Sequence, residues 1–92
     1  MTTPNNESAH FAVVTSTKIR MTAARHVVVN ARVAYINAAA ELDFLDMSTP
    51  GDAVVLAACD RVDGMKEAYD NALIEFDAIT TELYLLERRH AG

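Results

Sequence analysis

The stretch Met47-Ser48-Thr49-Pro50-Gly51-Asp52 (MSTPGD, residues 47–52) lies near the middle of the 92-residue chain and holds its only Pro–Gly pair. The Thr49 hydroxyl can accept from the backbone N–H three residues on. Pro50 takes the first helical position, where its missing N–H costs nothing, and Asp52 completes a shortened capping box. The stretch therefore starts a helix. The residues before it, LDFLDMS, must end another, because the residue preceding a proline is pushed out of the α region. With only a few residues between them, the two helices are expected to fold back on each other as an antiparallel hairpin.

Downstream of this turn, apolar residues fall in alternating steps of three and four: Val55, Ala58, Val62, Met65, Tyr69, Ala72, Phe76, Ile79, Leu83 and Leu86. They form one seam through about five heptads. Gly64 is about 1 kcal/mol worse than Ala inside a helix, a loss that so long a seam outweighs. Upstream, the same period gives Val14, Met21, Val28, Tyr35 and Leu42 at one seam position and Thr17, Ala24, Ala31, Ala38 and Leu45 at the other. Large residues alternate with Ala, so the two backbones can approach closely. The runs FAVVT and HVVVN are β-branched and would suit strands taken alone. The seven-residue period continues through both, which favours helix, with Ser16 as the place for a break.

The expected fold class is thus all-α, an antiparallel hairpin of two long helices over roughly residues 8–47 and 50–89. It forms a single domain, residues 8–92, behind a flexible N-terminal tail of residues 1–7, with Asn5 or Asn6 capping the first helix. Counting outward from the turn sets Tyr35 near Val62, Val28 near Tyr69, Met21 near Phe76, Val14 near Leu83, and Arg20 beside Glu75 as a flanking ion pair.

So small a domain buries only about 60% of the surface that its unfolded chain exposes, and a partner subunit would add stability. Of the residues, 51% are apolar, but Ala and Val supply much of that share and Trp is absent, a composition suited to narrow seams rather than to a bulky core. The net charge of −5 argues against non-specific binding to nucleic acid or to an anionic membrane. Cys59 is the only cysteine, which leaves no internal disulfide and no cysteine-based zinc site. The N-terminal MTTPNNES has no signal-peptide pattern, and no apolar run reaches the roughly 18 residues of a membrane span. A reducing cytoplasm is the expected location.

A hairpin satisfies one seam per helix, yet the first helix carries a second apolar strip at Ile19, Val29, Val33, Ile36, Ala40, Phe44 and Met47. The second helix leaves Leu56, Leu73, Ile74, Tyr84 and Leu85 off its seam. Such a strip needs another surface. The expected surface is a second copy of the chain, most simply a twofold dimer forming a four-helix bundle. The alternative is a helix that breaks and folds over these residues. His26 lies on the same strip, with Asn30 and Asn37 following, and these could make a polar layer that fixes register.

Charge divides unevenly between the halves. The first holds Lys18, Arg25 and Arg32 at seven-residue intervals. In the second, Asp63, Asp70 and Asp77 recur every seven residues with Asp60 and Glu67 beside them, a carboxylate line about 20 Å long by the helical rise. This line is read either as a solvated face or as a surface for a basic protein partner.

Helical-bundle metal centres are marked by paired Glu-x-x-His motifs with further inward carboxylates. Glu87-Arg88-Arg89-His90 is one instance, and a single motif at a chain end makes no ligand set. Cys59 neighbours Ala58 and Val62 and has no His at helical spacing, which reads as a small packed residue rather than a nucleophile. Glycine-rich phosphate loops and Ser-His-Asp order are absent. Accordingly no catalytic residue, cofactor or metal is expected, and the chain is not read as an enzyme.

The chain is similar in length to small secreted helical hairpins of the WXG type, whose turn carries Trp-x-Gly where this one reads STPGD. It is similar in expected architecture to the plasmid RNA-binding hairpin dimers of the Rop kind. Those need a basic helix face with a central aromatic, at which only Lys18, Arg25 and Arg32 hint. Neither resemblance reaches the level of a motif. The expected function is a small, oligomeric, non-catalytic regulator or inhibitor that binds another protein through its helical faces; size and acidity would suit a phage-type inhibitor of a host system. The alternatives are a nucleic-acid-binding helical dimer using Lys18, Arg25 and Arg32, and a metal-dependent bundle enzyme.

Overall fold

Two helices account for almost all of the protein: α1 (Thr3–Phe44) and α2 (Ala53–Ala91). The computed structural model describes residues 3–45 and 53–91, with side chains for 7–45 and 53–89. The capping stretch Thr49-Pro50-Gly51-Asp52 and Met47 lie outside the described residues. The helices pack against each other in a rod of 74 × 17 × 14 Å. Its radius of gyration is 20.7 Å, whereas a compact chain of this length would have about 12 Å. The molecule therefore has a seam in place of a central core.

Every residue assigned to the two seams is buried or half-buried, from Val14 to Leu42 on α1 with Leu45 just past its end, and from Val55 to Leu86 on α2. The most enclosed are Ala24, Ala38, Val55, Ala58, Ala72, Ile79 and Leu83. Four of these seven are alanines, which lets the helix axes come close. Thr17, only 2% exposed, is the one buried polar residue among those described, and its hydroxyl donates to the Val13 carbonyl at 2.8 Å. A seam hydroxyl satisfied by its own helix carries no desolvation penalty. The β-branched runs are helical throughout, with no break at Ser16.

α1 begins five residues earlier than the expected start at residue 8. Asn5 and Asn6 consequently lie inside it and do not cap it. Pro4 stands in the first turn, where its missing N–H is harmless; Thr3-Pro4 is the same dipeptide as Thr49-Pro50, which the sequence reads as a helix start.

The register also differs from expectation. Arg20 pairs with Glu82 at 3.3 Å and not with Glu75, and the Tyr35 ring stacks on Tyr69, centroids 6.2 Å apart, one heptad beyond Val62. Arg61 pairs with Glu41 at 2.6 Å. Moving 21 residues along α1, from Arg20 to Glu41, moves the same 21 back along α2, from Glu82 to Arg61, so the two ion pairs report one continuous register. Both differences are a slide of one heptad, from Glu75 to Glu82 and from Val62 to Tyr69, which leaves like seam positions opposite one another.

Gly64 sits on the exposed side of α2, and a Cβ added there would meet nothing within 4 Å. Gly64→Ala is expected to stabilise the hairpin by about 1 kcal/mol, read as a rise in the urea midpoint of helix loss. A fall would mean that another surface closes on this position.

Candidate interaction surfaces

The second apolar strip stands free in the hairpin. Ile19 is 64% exposed, Val29, Val33 and Ile36 about half, and Phe44 90%. Among the described residues no third element folds over them. Their three-and-four spacing continues through His26 and Ala40, both exposed, so α1 carries two heptad seams roughly 150° apart around its axis. One faces α2 and the other faces away from it. This is why α1 is much less one-sided in hydrophobicity than α2. Met47, expected to extend the strip, lies outside the described residues.

The corresponding outer face of α2 mixes carboxylates with the exposed apolar residues Leu56, Ile74 and Tyr84. Asp60, Asp63, Glu67, Asp70 and Asp77 are all exposed there, and among the described residues none of them joins an ion pair. By the register of the two ion pairs, residues 60–77 of α2 run alongside about 25–42 of α1. The carboxylate line and the apolar strip thus occupy the same length of the rod on opposite edges.

The two flanks differ as well. Each member of the ion pairs immediately precedes a seam residue: Arg20 before Met21, Glu41 before Leu42, Arg61 before Val62, Glu82 before Leu83. Both pairs lie on one flank, with side chains about half exposed, and each contributes little to stability. Lys18, Arg25 and Arg32 each follow a seam residue and so line the other flank, exposed and outside any ion pair among the described residues. Lys66, which follows Met65, extends this flank onto α2; its position relative to the seam was the signal for it, and sequence reading passed over it.

Cys59 is half-buried beside the seam. Among the described residues no three His, Cys, Asp or Glu side chains converge as a metal site, and no helix is long and apolar enough to cross a membrane. Sequence reading also passed over a second Glu-x-x-His, Glu7-Ser8-Ala9-His10. It was hidden because residues 1–7 read as a tail, and the early start of α1 places it on a helix. No protein-family model matches the chain, and neither a curated protein nor a solved structure matches it.

Proposed function

We propose that this protein is a non-catalytic interaction module that pairs with a second copy of itself through the outer seam of α1 and offers the acidic edge of α2 to a basic protein. The observation that carries the reading is the apolar strip at Ile19, Val29, Val33 and Ile36, aimed away from α2 and half or more exposed. Area supports it. The hairpin exposes 6906 Å², against about 5,200 Å² for a compact protein of its mass, and the excess is about twice the roughly 800 Å² per partner that a standard interface buries.

Charge selects the arrangement. The strip is bordered on one margin by Lys18, Arg25 and Arg32 and on the other by Asn30 and Asn37. Two α1 helices running parallel about a twofold axis set the cation row of one copy against the asparagine row of the other, whereas an antiparallel pair sets the cation row against itself. The parallel twofold is therefore favoured. His26 interrupts the strip with one polar layer, the kind of position that fixes register.

In such a dimer the acidic edges face outward, one on each side. Rim charges mainly steer encounter, so exchanging Asp63 and Asp70 for Lys is expected to slow capture of a basic partner and flatten its salt dependence while the helicity holds. A pull-down from the native host with wild-type and doubly exchanged protein tests it. Equal recovery of the same partner by both would reduce the acidic edge to a solvated face. The unpaired cations of the opposite flank support a second reading, nucleic-acid binding, which requires affinity for duplex or structured RNA that falls steeply with salt.

A further inference from the structure

We propose that acid releases the self-association through His26, which makes the outer seam of α1 a pH-operated contact; the inference rests on the dimer proposed above. His26 is exposed and stands one heptad after Ile19 and one before Val33, in the middle of the strip. It lines one groove with Lys18, Ile19, Thr22 and Ala23, and Arg25 adjoins it in the chain. Between Glu7 and Glu41, α1 carries no carboxylate at all but four cations, Lys18, Arg20, Arg25 and Arg32, of which only Arg20 is taken up by an ion pair among the described residues. At the height of His26, α2 presents Glu75 and Asp77. That helix packs on the inner seam, however, so the body of α1, about 10 Å across, stands between these acids and His26.

A parallel twofold sets each residue level with its own copy, so His26 of one chain meets His26 of the other. The two Arg25 side chains adjoin this layer, Thr22 and Asn30 lie one turn away on each helix, and the acids of the second copy's α2 stand behind its own α1. Two neutral imidazoles can share a hydrogen bond, one donating and the other accepting. Two imidazolium ions cannot, because both are donors and both carry the sign of Arg25. Desolvation and like charge therefore disfavour the charged form in the dimer, while a separated chain leaves the ring in water. The dimer binds fewer protons than two free chains. By linkage, association is complete on the alkaline side of the histidine range and is lost as pH falls through it.

The test is sedimentation equilibrium of the full chain at about pH 8 and about pH 5.5 in the same salt, beside His26→Gln, whose amide keeps a polar layer and takes no proton, and His10→Gln as the control. Uptake of two protons per dimer is expected to raise the wild-type dissociation constant by roughly 10- to 100-fold over this range. The constant of His26→Gln should hardly move, and His10→Gln should follow the wild type. Circular dichroism on the same samples reads helicity, which should hold at both values. Equal association of the wild type at both, the same weakening in His26→Gln, or loss of helicity in place of release would overturn the inference and leave the dimer standing. A mass of one chain at both would remove the dimer and the inference together.

Discussion

Replacing Ile79 with alanine is expected to destabilise the hairpin by about 2–5 kcal/mol, a large share of the roughly 5–14 kcal/mol available to a domain of this size. Ile79 is 6% exposed and, among the described residues, is one of three large apolar side chains, with Val55 and Leu83, in a buried set completed by four alanines and Thr17. The groove that Ile79 lines also holds Ala23, Ala24 and Val27, whose short side chains fill little of the vacated space. Ile74, five residues away and 69% exposed, supplies the contrast: Ile74→Ala should change stability by no more than about 0.5 kcal/mol. Urea unfolding followed by circular dichroism compares the two. Equal losses would contradict the assignment of seam and outer face on α2.

The second large effect concerns association. Val29→Glu combined with Val33→Glu places two carboxylates in the middle of the outer seam of α1, where both native side chains are about half exposed. Nothing in the isolated hairpin resists the exchange, and glutamate is the better helix former. In the proposed dimer, however, four carboxylates would be driven into one desolvated interface, a burial without compensating partners. The variant should keep its helicity and lose self-association altogether, and its melting temperature should no longer rise with protein concentration as the wild type's should.

The heptad pattern was legible in the sequence because each seam position contributes the same physical demand, a side chain that fits between two backbones. Val55 to Leu86 satisfy that demand without interruption, and the alanines of α1 show how close the helices come. Register was less legible. A slide of one heptad returns apolar residues to apolar residues, so the seam cannot distinguish Arg20 with Glu75 from Arg20 with Glu82. Only the structure separates the two, through the Arg20–Glu82 pair and the Tyr35–Tyr69 stack. The early start of α1 was written in Thr3-Pro4, the same signal that reads as a helix start at Thr49-Pro50, but a polar N-terminus suggested a tail. Reading residues 1–7 as a tail left Glu7 out of the motif that it completes with His10. The outer faces were legible as chemistry, apolar on α1 and acidic on α2, because the heptad frame assigns them once the seam is known. The identity of a partner is not carried by either face, since charge and hydrophobicity specify a class of surface and no single one.

The most direct measurement is sedimentation equilibrium of the wild-type chain from low to high micromolar concentration, beside the Val29→Glu, Val33→Glu variant. The account predicts a wild-type mass that climbs from the 10.0 kDa of one chain toward twice that value, with the variant remaining at one chain throughout. A wild-type mass of one chain at every concentration would contradict it.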